Sequence, residues 1–103
     1  MAVFTVLYPA VDGAKFDLDY YEATHIPLVK DAFTATGLEH VQVLKGLAGG
    51  GGGPAPYLVM VNLTFRDAAA LQASLTGPRG PEVMADVANF TDIQPIAQVS
   101  EAR

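Results

Sequence analysis

One histidine and two tyrosines in the segment Phe16 to Leu28, FDLDYYEATHIPL, are the side chains of this sequence whose types and spacing could move a proton. Wound as a helix at about 100° per residue, Leu18, Tyr21, His25, Leu28, Val29 and Ala32 share one face, so the imidazole sits among apolar neighbours and is aimed inward. Tyr21 stands one helical turn before His25, where a phenol can orient a polar ligand atom while neutral imidazole accepts or donates a proton. His25 is therefore the candidate general acid or base and Tyr21 its companion, with Tyr20 directed towards the flank of the same face.

Pro27 makes the position unusual. It cannot donate to the carbonyl of Ala23, and its ring disfavours the α conformation at Ile26, so a kink or restart is expected near His25. Carbonyls freed there need partners, and two readings of His25 stay open: a packed histidine bonded to its own helix, or a histidine lining a cavity with Tyr21. Asn62 poses a similar question. A polar amide inside an apolar strand must find partners, either across an interface between subunits or in the cavity. His40, beside Glu39 at a strand start, reads as an ordinary surface histidine.

The elements that must position these residues follow from the pattern. Val3 to Tyr8 is an apolar, β-branched and aromatic run ending at Pro9, which predicts a strand entering a loop. The helix then runs from about Asp17 towards Thr36, capped by Asp17 or Asp19 and stopped by Gly37. A strand from Leu38 to Lys45 leads into Gly46 to Gly53, whose five consecutive glycines predict a mobile hairpin connection. A phosphate-cradling loop is the weaker reading, because no Lys-Ser or Lys-Thr follows and the chain enters a strand where a helix would be needed. That strand, Tyr57 to Phe65, is apolar on both faces. Asp67 caps a helix from Ala68 to about Leu75, Thr76 to Pro81 interrupts, and a short helix follows from Pro81 or Glu82 to about Val87. A last strand, Ile93 to Val99, carries Pro95, which suits an edge or a bulge. Ser100 to Arg103 reads as a frayed tail.

The order strand, helix, strand, strand, helix, strand is the α+β, ferredoxin-like βαββαβ arrangement: a four-stranded antiparallel sheet with its helices on one face. The other face is left open. Since the first strand and the strand around Val59 are apolar on both sides, two subunits are expected to bury these faces against each other as a homodimer.

With 103 residues, half of them hydrophobic, the chain is the size of one domain, residues 1–103, with a single core. A net charge of -5 without a run of Lys or Arg offers nothing to a phosphate backbone, so nucleic acid is not an expected partner. No stretch approaches the roughly 20 apolar residues of a membrane span, and Met1 to Tyr8 lacks the basic start of a signal peptide, so no membrane partner and a cytoplasmic location are expected. Zero cysteines exclude disulfides, thiol nucleophiles, iron–sulfur clusters and Cys-type zinc sites. Two histidines in unrelated segments do not assemble a metal site, and no motif for a haem or flavin is present, so no metal and no cofactor are assigned.

The segment Phe16, Asp17, Tyr20-Tyr21, His25, Pro27-Leu28 resembles the signature of the EthD family, named for ethyl tert-butyl ether degradation. The resemblance extends from Val3 to Val99, and the glycine run is the main departure from it. It implies a subunit whose sheet pairs with that of a second copy into a dimeric α+β barrel, with a cavity between sheet and helices. Tyr21, His25 and Pro27 carry over directly, and Tyr20 beside them. Asp86, Asn89 and Phe90 resemble the family's C-terminal helix-to-strand segment, where a carboxylate either holds the imidazole or lies solvated on its helix. Tyr20, Asn62, Asp86 and Phe90 are accordingly the substrate-binding candidates, and His25 and Tyr21 the catalytic ones. Relatives in the wider superfamily include cofactor-free monooxygenases, isomerases, decarboxylases, dehydratases and polyketide cyclases. The resemblance thus implies a small-molecule-binding protein of a catabolic or biosynthetic pathway, with cofactor-free acid–base catalysis on a small apolar or aromatic carbonyl compound. A non-catalytic accessory or ligand-carrier dimer beside an oxygenase is the alternative, and a purely structural dimer with a filled pocket the third.

Overall fold

Alternation along two central strands builds the surface on which the site rests. In the computed structural model, which describes residues 1–103, β1 (Ala2–Pro9) and β3 (Tyr57–Phe65) pair antiparallel with Phe4 opposite Leu63 and Val6 opposite Val61. These side chains, with Tyr8, Val59 and Phe65, project to one face and meet the helices. β2 (Leu38–Lys45) flanks β3 and β4 (Ile96–Glu101) flanks β1, giving the order β2-β3-β1-β4 with every neighbouring pair antiparallel. This is the ferredoxin-like sheet, and all helices lie on one of its faces. Tyr8, Phe65 and Leu71 are among the fully enclosed side chains of the core, each worth roughly 1.5–3 kcal/mol of burial. No helix is long and apolar enough to cross a membrane.

The first helical segment departs from its expected form. Asp17 caps α1 (Leu18–Tyr20), its carboxylate accepting from the Tyr20 N–H at 3.0 Å. A π turn, Tyr21–His25, follows, then α2 (Ile26–Phe33) and a 3₁₀ turn, Thr34–Thr36. The disturbance expected near His25 is present as a change of helix type, the π turn ending at His25 and α2 beginning at Ile26. There the Ile26 N–H donates to the Tyr21 carbonyl, five residues back, while both His25 and Ile26 keep right-handed helical angles. The widened turn accommodates the proline within a continuous helical path, and Tyr21 and His25 lie stacked, with rings 22° apart and centroids 5.5 Å apart. Gly37 ends the segment as expected, at φ 110°, and a Cβ there would stand 2.5 Å from that of Ala70.

Asp67 caps α3 (Ala68–Leu75) through the Ala70 N–H at 2.7 Å. α4 (Gly80–Asp86) starts one residue before the predicted Pro81 and passes into a 3₁₀ turn, Val87–Asn89. β4 begins at Ile96 and not at Ile93. Pro95 has no N–H for the ladder, while Ile93 turns into the core with its N–H bonded to the Thr91 hydroxyl at 3.1 Å. At the other end Ser100 and Glu101 pair with Val3 and Ala2, so the tail predicted to fray is strand as far as Glu101. The glycine run closes on itself, Gly49 N–H donating to the Gly53 carbonyl at 2.7 Å and Gly52 N–H to the Gly49 carbonyl at 3.0 Å.

Candidate functional site

His25 occupies the end of the π turn, and its ring lies against Phe90 at 4.7 Å and against Tyr21 at 5.5 Å between centroids. Phe90 itself is wholly enclosed and meets Tyr21 at 5.0 Å, Phe16 at 5.3 Å and Tyr8 at 5.8 Å, edge to face in each case. Such packing fixes ring orientation as well as burying area. The imidazole is thus packed into a cluster with Tyr21 and Phe90, the three ring centroids lying 4.7–5.5 Å apart.

One nitrogen of the imidazole is taken by Asp86, the last residue of α4. Its Oδ2 lies 2.9 Å from His25 Nδ1, and its Oδ1 accepts from the Tyr20 hydroxyl at 2.7 Å and from the Asn89 side-chain amide at 2.9 Å. Burial pushes the Asp86 carboxyl up, but the hydrogen bonds from Asn89, Tyr20 and His25 outweigh it and hold the group below its ordinary value. His25 shifts down as well. Desolvation by burial is the largest cause and exceeds the opposing pull of the Asp86 hydrogen bond and charge. A neutral imidazole beside an ionised carboxylate must place its proton on Nδ1, which leaves Nε2 as an acceptor. Nε2 makes no hydrogen bond within the protein, and of the fully enclosed side-chain polar atoms only the Tyr21 hydroxyl lacks a partner, so Nε2 keeps an opening.

His25 lines a cavity of ≈ 150 Å³ together with 17 other residues, 14 of the 18 being hydrophobic. Phe4, Val6, Val61 and Leu63 of the sheet form its floor, Tyr21, His25 and Val29 one wall, and Val83 and Val87 the other. Met84, Gln94 and Ala97, all exposed, rim its mouth. Tyr21 is wholly enclosed, and its hydroxyl is raised above the ordinary phenol value by burial first and then by Tyr8 and Glu22, so it stays protonated. It is a donor without an acceptor on the wall that also carries His25.

Of the residues singled out from sequence, Tyr21 and His25 line the cavity. Tyr20 and Phe90 do not: Tyr20 is half-buried and bonded to Asp86, and Phe90 packs against the rings of both Tyr21 and His25. Asp86 also stands outside the cavity and reaches it only through His25. The reading of Asp86 as a solvated helix residue is corrected by its burial, and the reading of His25 as bonded to its own helix by its bond to a residue 61 positions away. Asn62 is the clear correction. Strand alternation places it on the opposite sheet face, where it accepts from the Thr5 hydroxyl at 2.7 Å and donates to Gln42 at 3.3 Å, so it touches no part of the cavity. Tyr8 and Val83 line the cavity without having been singled out; the alternation of Tyr8 with Phe4 and Val6 carried that signal for Tyr8. No three metal-ligating side chains converge anywhere in the structure.

The EthD domain model matches residues 9–94. Among solved structures, an EthD-like protein from Ralstonia eutropha shares 36% identity over 97% of this chain and 89% of its own, with a TM-score of 0.88. An ethyl tert-butyl ether degradation (EthD) family protein from Bacillus halodurans is 20% identical over 100% of this chain and 99% of that one, at a TM-score of 0.79. SnoaB, a cofactor-independent oxygenase from Streptomyces nogalater, is 11% identical over 99% and 92% of the two chains and has the same fold, at a TM-score of 0.72. None of the curated proteins matches the sequence.

Proposed function

The chain belongs to the EthD family, and on that premise we propose that it binds a small, largely apolar compound in the cavity and exchanges a proton with it through His25. The observation that carries this reading is the His25–Asp86 pair set in the wall of an apolar cavity, with Nε2 unpaired. Nε2 takes a proton from the bound compound, the C–H or O–H electron pair stays on the ligand and is delocalised onto its oxygen, and Asp86 stabilises the imidazolium. The Tyr21 O–H donates to the oxygen that gains charge. Acid–base positioning of this kind contributes about 10²–10⁴-fold, enough for enolisation, isomerisation or dehydration of an activated aromatic or carbonyl compound without a cofactor. A cytoplasmic catabolic or biosynthetic pathway is the setting this implies, with residues 1–103 acting as one domain.

The test is an NMR pH titration of His25, assigned with His40→Gln, with and without small phenolic and carbonyl compounds. A displaced pKa that responds to a ligand supports the reading. His25→Ala is expected to abolish turnover with modest loss of binding; loss of binding alone makes the protein a carrier beside an oxygenase. A His25→Phe variant that keeps every activity and ligand overturns both.

Homodimerisation through the open sheet face belongs to the same proposal. Register sets Leu44, Met60, Leu7 and Ile96 in one apolar row across all four strands, beside a polar row of Gln42, Asn62, Thr5 and Gln98. An apolar stripe with its own polar neighbours suits a self-complementary partner. Sedimentation at micromolar concentration is expected to give a dimer, and a monomer there refutes it.

A further inference from the structure

We infer that the group the site receives at its polar end is a hydroxyl carried on a single unsaturated ring, a phenol or the enol of a small cyclic carbonyl compound. The inference rests on the proposed reading of the cavity as a ligand site and deepens it.

Apart from the exposed Gln94, three polar atoms of the cavity lining lack partners, His25 Nε2 and the hydroxyls of Tyr8 and Tyr21, and they are of opposite kinds, an acceptor against donors; the pair on the helix, Nε2 and Tyr21, sets the argument. Asp86 anchors Nδ1, so Nε2 presents a lone pair. Tyr21 presents an O–H in a fully enclosed position. Their rings are stacked within one helical turn, and both residues line the same cavity. A ligand that satisfies both must donate one hydrogen bond and accept another, and a hydroxyl is the smallest group that does so from one atom. A carbonyl oxygen can accept from Tyr21 but leaves Nε2 empty-handed. A carboxylate would also fail to donate, and would bring a second negative charge close to the ionised Asp86 in an apolar enclosure. An ether has no hydrogen to give.

Size narrows the class further. An apolar cavity of about 150 Å³ takes one benzene ring, and this cavity measures ≈ 150 Å³ with aliphatic and aromatic walls. One ring therefore fills it, and the hydroxyl is the single polar substituent that the wall can pair.

The experiment compares phenol, anisole, benzaldehyde and toluene by ligand-observed NMR and calorimetry on the native protein and on Tyr21→Phe. Expected is at least about tenfold tighter binding of phenol than of the other three, since each lacks the donated hydrogen bond and leaves a buried polar group unpaired. Tyr21→Phe is expected to reduce that preference and to leave toluene unchanged. Toluene binding as tightly as phenol, or benzaldehyde binding more tightly, overturns the hydroxyl assignment while the cavity remains a ligand site. If none of the four binds the native protein at millimolar concentration, the assignment and the proposed function fall together. The comparison of the four compounds on native protein decides the matter even if the variant does not fold.

Discussion

Asp86→Asn keeps the size of the side chain that holds His25 and changes its charge and one of its two hydrogen-bonding ends. In the native protein both oxygens accept, Oδ1 from Tyr20 and Asn89 and Oδ2 from His25. An asparagine must turn its NH₂ towards one of these sets. Facing Tyr20 and Asn89 it opposes two donors; facing His25 it opposes one, and the imidazole escapes that conflict by moving its proton from Nδ1 to Nε2. The tautomer is therefore expected to invert, leaving no acceptor towards the cavity. A hydrogen bond to a charged group contributes roughly 1.5–3 kcal/mol against about 0.5–1.5 for a neutral one, so each of the three bonds weakens by about 1 kcal/mol. Tyr20 is half-buried and Asn89 exposed, so both recover part of their loss from water. A net destabilisation of about 2 kcal/mol remains, which lowers Tm by roughly 8–16 °C in a domain of this size at fixed protein concentration. Long-range ¹H–¹⁵N NMR reads the tautomer, thermal melting reads the stability, and any turnover should fall by the full acid–base factor of about 10²–10⁴. An imidazole that keeps its proton on Nδ1, in a protein whose Tm stays within about 2 °C of native, refutes the assignment of Asp86 as the residue that sets the tautomer.

Tyr21→Phe removes a buried hydroxyl that has no partner, so the ligand-free variant should be as stable as the native protein or up to about 1–3 kcal/mol more so; a clear loss of Tm would mean that the hydroxyl is bonded in solution. Burial holds His25 below its ordinary value despite Asp86, so the unfolded chain binds that proton more tightly than the folded one. The stability contributed by neutral His25 is complete above the unfolded value of about 6.5 and is lost as pH falls from there through the lower folded value. Melting curves across that range should show the decline, and His25→Gln should flatten it; equal slopes in the two proteins contradict the shift. Gly37→Ala forces a Cβ to within 2.5 Å of Ala70 Cβ at a φ of 110°, and is expected to cost more than about 1 kcal/mol in chemical denaturation; a neutral result there would show that α3 moves aside freely.

Features that depend on neighbours in sequence were legible from sequence. Asp17 and Asp67 cap helices because a carboxylate three residues upstream of an N–H reaches it whatever the tertiary context. Gly37 stops the helix because only glycine takes its φ without strain. The shared face of Tyr21, His25, Val29 and Ala32 follows from helical periodicity, and all four are buried. The order of strands and helices, and with it the ferredoxin-like sheet, follows from turn residues and from alternation within each strand. The signature from Phe16 to Leu28 was enough to point to the family.

Tertiary structure decided the rest, since those features depend on groups far apart in the chain or on backbone adjustments with no composition of their own. Asp86 carries no local mark that separates it from a solvated helix residue; it becomes the partner of His25 because α4 packs beside α2, where Arg79 bridges Asp31 and Glu82. Pro27 signals a disturbance of the helix, but whether it breaks or widens depends on the packing of Tyr21 and His25 against Phe90, which favours the π turn that stacks their rings. Asn62 could have faced either way until the register of β1 and β3 set its face and gave it Thr5. The cavity is the last such feature. Its volume is what remains after a sheet and three helical segments have packed, so it belongs to no single stretch of sequence, and the unpaired hydroxyl in its wall becomes visible only when every neighbour of Tyr21 is in place.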